Sequence, residues 1–229
     1  MGISTRHGGI SPEPLGMNLS YTVGDNPENV RKNREIFFNS LGISSDQVVF
    51  QRQTHSTNVK FVNAPGVHES YDALITRTSG IFLAVSLADC LPILVYDPIN
   101  KIVAGVHAGW RGSRDRIVLK VLEKLINDYG SRPSGLIAYI GPGAGTCCYE
   151  VGGEVADQFS TDFLIKNGNG RTYLDLKSFN QGILISTGIP SSQIEVSDYC
   201  TICNPDIFHS YRRDKGRSGR MLAIIGMKN

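Results

Sequence analysis

The stretch Lys101-Ile102-Val103-Ala104-Gly105-Val106-His107-Ala108-Gly109-Trp110-Arg111-Gly112-Ser113-Arg114 decides the reading of this fold. Its first half, to His107, is short, apolar and free of polar alternation, which predicts a strand buried on both faces. Glycines then interrupt it. Ile117, Val118, Val121, Leu122, Leu125 and Ile126 follow at helical spacing and predict an amphipathic helix from about Ser113 to Tyr129, stopped by Gly130. A histidine therefore stands at the end of a buried strand, and arginines occupy the turn into a helix.

Upstream, Asn26-Pro27-Glu28 supplies a capping side chain and a proline suited to the first helical position, and Val30, Phe37, Phe38 and Leu41 give that helix an apolar side before Gly42 ends it. From Val48 to Ile102 the pattern changes to short β-rich runs, among them Val59 to Val62, Ala73 to Thr76, Ile81 to Ser86 and Ile93 to Tyr96. Downstream come a strand at Leu136 to Ile140, helices near Gly153 to Phe159 and at Leu176 to Thr187, and strands at Ile194 to Val196 and Met221 to Ile225. Strands outnumber helices and cluster in runs, so the expected architecture is α+β, with a mixed β-sheet core flanked by helices. No linker, repeat or charge block divides residues 1–229, and the expectation is one domain.

The bulk properties exclude several classes. Twenty-three Lys and Arg against 21 Asp and Glu leave a net charge of +2, too small an excess for a phosphate-backbone binder. The basic stretch from Arg212 to Arg220 reads as a solvated loop or as a contact for an anionic substrate, with nucleic acid ranked behind both. The start Met1-Gly2-Ile3 has no apolar leader behind it and no run reaches membrane-spanning length, so no membrane association and a cytoplasmic location are expected. Five cysteines form no secreted disulfide framework and are expected to be reduced.

Chemistry concentrates on His55, Cys90 and His107, each set among small or polar residues at the border of an apolar run. Two imidazoles and one thiol would leave one face of a zinc ion open, as a catalytic zinc requires. Their long spacings match no local zinc-binding pattern, and a His or Cys ending a buried strand is also a common core residue. Cys90 precedes Pro92, which favours extended backbone there. Without a metal it reads as a small hydrophobe or as a nucleophile with His55 or His107 as base. Asp89 could orient a ligand histidine or cap local N–H groups. Arg111 or Arg114 could hold an anion beside the helix start, or face solvent while Trp110 packs inside. Gln53 would share a strand face with His55 if the chain were extended, and could then touch substrate. Five histidines without a His-X-His cluster cannot fill a multicopper centre; a single copper fits the ligand types, but zinc suits a reduced compartment better. Cys200-Thr201-Ile202-Cys203 is a lone C-x-x-C that could pair with Cys147-Cys148 around a structural zinc. Gly141 to Gly145 reads as a backbone turn, and His68 beside Glu69 as a solvated loop residue.

Ala88-Asp89-Cys90-Leu91-Pro92-Ile93, Gly105 to Gly112 and Ser210-Tyr211-Arg212-Arg213-Asp214 resemble the laccase-domain family, once described as multicopper polyphenol oxidases and regarded as zinc-dependent purine nucleoside phosphorylases. The resemblance runs from Thr5-Arg6-His7-Gly8-Gly9-Ile10-Ser11 to Gly219-Arg220. One departure is Gly143, where members often carry a cysteine. The resemblance implies that His55, Cys90 and His107 bind zinc and carry catalysis, that Arg6 binds phosphate and that His7 contacts substrate; Gln53 and Arg111 join the candidate substrate contacts on the residue chemistry given above. It also implies purine nucleosides (adenosine, inosine, methylthioadenosine) and inorganic phosphate as reactants, with adenosine deamination beside phosphorolysis. Two other readings stand beside it: a metal-free cysteine hydrolase or deamidase using Cys90 with His107, and a non-catalytic interaction protein whose contact surface is the basic late loop.

Overall fold

The strand Ile102–Ala108 lies inside a six-stranded sheet, hydrogen-bonded antiparallel to Leu91–Asp97 on one side and to Ala73–Thr76 on the other. In this computed structural model, which describes residues 1–228, that sheet continues through Ile137–Ile140 to Ile194–Val196 at one edge and to Val59–Phe61 at the other. A second, five-stranded sheet runs in the order Gly2–Ile3, Met221–Gly226, Phe82–Leu87, Val48–Arg52, Gly66–Glu69. Both sheets mix parallel and antiparallel pairs. The fold is α+β, as the sequence implies.

Side-chain alternation explains why the strand Ile102–Ala108 is apolar from Ile102 to Val106. Ile102, Ala104 and Val106 pack with Ile117, Val121, Leu122 and Leu125 of the helix Ile117–Tyr129, and with Leu176 and Leu184 of the helix Leu176–Ser186. Val103 points the other way and packs with Leu94, Leu83, Val85, Met221 and Ile225 in the layer between the sheets. Gly105 belongs to that second side, since a Cβ on it would meet Val85, Leu83 and Ile225. The outer face of the five-stranded sheet, through Phe82, Ala84, Leu222 and Ile224, is covered by Phe37 and Phe38 of the helix Pro27–Ser40. The result is four layers, helix, sheet, sheet and helices. Burial on both faces thus comes from stacked layers rather than from parallel crossovers.

Three local expectations are corrected. The helix after Gly109 is broken: Trp110–Arg114 ends, Arg116 takes a left-handed conformation at φ 58°, and Ile117–Tyr129 begins again. That break lets Ser113, which accepts a hydrogen bond from the Asn180 amide at 2.9 Å, and Ile117 both face inward. The helix near Gly153 stops at Ala156, leaving Phe159 free to meet the Phe179 ring at 5.0 Å between centroids. His68 lies on the edge strand Gly66–Glu69 and not on a loop. Among the described residues no helix is long and apolar enough to cross a membrane.

Leu122 is fully buried between helix and sheet. Leu122→Ala is expected to cost about 2–5 kcal/mol, read as a lower urea midpoint at unchanged slope.

Candidate metal centre

Strand register brings two of the three candidate ligands together. Pro92 pairs with His107 across the Leu91–Asp97 and Ile102–Ala108 strands. Alternation puts His107 on the side of Gly105 and Val103, and puts Cys90 on the side of Pro92 and Leu94, which is the same side. Cys90 and His107 are therefore diagonal neighbours where the apolar layer between the sheets gives way to polar residues. His55 arrives from the other sheet, on the turn that follows Val48–Arg52.

That turn is held by a carboxylate. Asp72, fully buried at the head of Ala73–Thr76, accepts backbone N–H bonds from Thr54 (3.1 Å), His55 (3.0 Å) and Ser56 (2.8 Å), and the Ser56 hydroxyl donates at 2.7 Å. Its Oδ1 lies 2.8 Å from His107 Nδ1, and its carbonyl accepts the His107 N–H at 2.7 Å. One buried side chain thus fixes the backbone of one histidine and the ring of the other. The Nδ1 contact leaves His107 Nε2 to face the centre. His55 sits at φ 58°, a left-handed conformation that non-glycine residues adopt at a cost, and the Asp72 hydrogen bonds supply the compensation.

The ligand atoms of His55, Cys90 and His107 all lie within 4.8 Å of one another. The two imidazoles meet edge to face at 5.0 Å, and Cys90 Sγ is 3.8 Å from His55 Nε2. Gly109 keeps this space open, because a Cβ there would come within 2.9 Å of the His55 ring and 3.0 Å of Cys90 Sγ. His107 is buried, Cys90 half-buried and His55 exposed, so the cluster is open on one side. Two nitrogen donors and one sulfur donor, converging from two sheets with a free side, fit a metal ion of the zinc type.

The electrostatics favour a thiolate–imidazolium pair, whose imidazolium must give up its proton before it can ligate a metal. Burial opposes ionisation of Cys90, but the charge of His107, together with hydrogen bonds from His107 and His55, holds its thiol down at about 6. Burial likewise opposes protonation of His107, while the Cys90 thiolate and the Asp72 bond raise it to about 9. Burial would raise the Asp72 carboxyl; the bonds from His107 and Ser56 overcome this and hold it at about 2.

The remaining sequence candidates divide. Asp89 touches neither histidine: it accepts the Thr201 hydroxyl at 2.6 Å and the Arg212 backbone N–H at 2.7 Å, anchoring a late loop beside Cys90. Tyr149 is buried next to that loop, with Arg212 over its ring at 5.3 Å. Burial, then the charge of Cys90, raises its phenol, and Arg212 and Arg111 oppose the rise. Arg111 is exposed and stacks on half-buried Trp110 at 4.4 Å. Gln53 does not share a strand face with His55, because the strand ends at Arg52 and the chain turns; its amide both donates to and accepts from the Ser86 backbone at 2.8 Å. The Arg6 guanidinium is taken up by Glu13, Pro14 O and Pro205 O, and His7 is exposed on the same amino-terminal segment. Asp72 went unrecognised in the sequence. Its signal is a single carboxylate leading the wholly apolar run Ala73-Leu74-Ile75, where a buried charge requires several donors.

Fold and site together define a laccase-domain protein. Residues 1–228 match the family described as multi-copper polyphenol oxidoreductase laccase, and the chain belongs to it. Over 99% of its length it is 36% identical to the purine nucleoside phosphorylase YlmD of Bacillus subtilis (strain 168), covering 88% of that protein. It is 35% identical to adenosine deaminase RL5 from an unknown prokaryotic organism, over 93% of this chain and 87% of that one. The crystal structure of YlmD from Geobacillus stearothermophilus superposes with a TM-score of 0.95 at 33% identity, covering all of this chain and 91% of the other.

Because the Asp72 carboxyl is depressed on folding, its contribution is present above its ordinary value of 3.8 and is lost as pH falls through about 2. Asp72→Asn is expected to be roughly 2 kcal/mol less stable than the parent at pH 7. The gap should close on acidification through that window in urea titrations at stepped pH; a gap independent of pH would assign the loss to shape alone.

Proposed function

We propose that this protein is a zinc-dependent purine nucleoside phosphorylase that accepts adenosine, inosine and methylthioadenosine and also deaminates adenosine. The observation that carries the reading is the convergence of the His55, Cys90 and His107 donor atoms within 4.8 Å, open on one side. Relatives named for purine nucleoside phosphorolysis and for adenosine deamination support it. The multi-copper description of the family is not carried over, since five histidines cannot serve several coppers.

His55, Cys90 and His107 would hold a zinc ion, which would supply a Lewis acid there. The chain's own groups do the rest. Asp72 keeps His107 in the orientation that aims Nε2 at the centre. Arg111 and Arg212, both exposed, provide positive charge for inorganic phosphate, and the Arg212 guanidinium, held by the Glu150 carbonyl over the buried Tyr149 ring, offers a flat surface against which a purine can lie. In phosphorolysis a phosphate oxygen bonds to the anomeric carbon as the glycosidic C–N bond breaks, and the departing base takes up the electron pair and a proton. The arginines hold the nucleophile in line and offset its charge. In deamination water adds at the ring carbon bearing the amino group, and ammonia leaves. Arg6 and Gln53 spend their polar atoms on other protein groups, so in this reading they shape the surrounding loops.

A second reading has one observation in its favour. Cys90, His107 and Asp72 form a thiolate, imidazolium and carboxylate series of the kind that serves a cysteine nucleophile. Metal removal separates the two.

Purified protein supplied with adenosine or inosine is expected to release free base only when phosphate is present. His55→Ala and Cys90→Ala should lower that release on the order of 100-fold while the proteins stay folded. Turnover that survives complete zinc removal would overturn the proposal and favour the cysteine mechanism. Arg111→Ala is expected to raise the KM for phosphate about 10-fold with a smaller change for nucleoside, measured by initial rates.

A further inference from the structure

Four of the five cysteines take no part in the centre described above. Cys147 and Cys148 lie on the loop that follows Ile137–Ile140, and Cys200 and Cys203 lie on the loop that follows Ile194–Val196. The parallel pairing of those two strands at the sheet edge delivers both loops to one place, where Gly143 bridges Cys200 and the Thr201 N–H donates to Gly143 O at 3.0 Å. All four Sγ atoms fall within 4.8 Å of one another, and Cys147 and Cys203 are 3.5 Å apart. Four sulfurs at about 2.3 Å from a common zinc stand roughly 3.8 Å from each other, so the cluster has the size of one coordination shell.

Hydrogen-bond donors reach two of the four sulfurs. Cys200 Sγ accepts the Gly145 N–H at 3.3 Å, and the Asn204 amide donates to Cys203 Sγ at 3.7 Å. Lys177 donates to the carbonyls of Ser197 and Tyr199 and so brings a positive charge to the loop that carries Cys200. It partly offsets the double negative charge that four thiolates leave around a divalent ion.

We infer that Cys147, Cys148, Cys200 and Cys203 form a second metal site, a closed tetrathiolate shell that takes zinc and pins two loops together. Binding releases the thiol protons to solvent, as ligation by sulfur requires. The shell is full, so its role is structural. Its position gives that role a target. Cys148 immediately precedes Tyr149, Thr201 donates to Asp89 next to Cys90, and the Arg213 guanidinium donates to the carbonyls of Thr201 and Ile202 inside the C-x-x-C turn. The walls of the first centre are thus hung on the second.

The inference stands apart from the proposed reaction and is tested apart from it. Reduced His55→Ala/Cys90→Ala protein, which lacks the first centre, is expected to retain one equivalent of zinc after dialysis. Refilled with cobalt alone, it should show the strong thiolate-to-cobalt charge-transfer absorption of a four-sulfur shell. Cys147→Ser/Cys203→Ser protein should lose one equivalent relative to the parent, keep the other, and melt at lower temperature. Should that variant fail to fold, the cobalt spectrum of the first variant still decides. A reduced His55→Ala/Cys90→Ala protein that holds no zinc would overturn the inference. So would a thiol count showing Cys147 and Cys203 joined as a disulfide in protein purified without oxidant.

Discussion

Asp72 is the constraint on which the site depends. A carboxylate stripped of water is tolerated only when donors surround it, and here the donors are the N–H groups of Thr54, His55 and Ser56, the Ser56 hydroxyl and the His107 ring. Satisfying that one charge bends the chain at His55 into a left-handed turn and locks His107. Two histidines from different sheets acquire a fixed separation because both answer to the same pair of oxygens.

The layered architecture determines where this can happen. The space between the two sheets is filled by Leu83, Val85, Leu94, Val103 and Ile225, where an uncompensated polar group is costly. At the end of that layer the side chains change to His107 and Cys90, and the five-stranded sheet contributes a turn instead of further strand. The centre therefore occupies the boundary at which a dry interface opens to solvent. There an ion can be held by desolvated donors and still be reached by reactants. Gly109 belongs to the same design, because only a residue without a side chain leaves room where the strand gives way to a helix.

Much of this was legible in the sequence because it follows from local rules. The run Lys101 to His107 announces a strand shielded on both sides, and the spacing of Ile117 to Ile126 announces the helix that covers it. The trio His55, Cys90 and His107 was readable as a set, since chemistry-bearing residues at the ends of apolar runs meet wherever strands are paired. What escaped depended on long-range geometry. Asp72 looked like any acidic residue before a strand, and Asp89 looked the better partner for a histidine because it adjoins Cys90. Gln53 seemed free to meet a ligand until pairing with Ser86 consumed its amide. The break at Arg116 was hidden because the residues on either side of it keep the helical spacing of apolar positions.

The three donors differ in freedom. Cys90 and His107 border directly paired strands and cannot separate without unzipping the sheet, whereas His55 is exposed and carried by a turn. The protein thus presents a two-point pincer on paired strands and a third arm on a turn held by Asp72. Entry to the centre therefore lies on the side of a single imidazole, and substitutions that remove the donors of the segment from Thr54 to Ser56 displace that arm without altering the pincer itself.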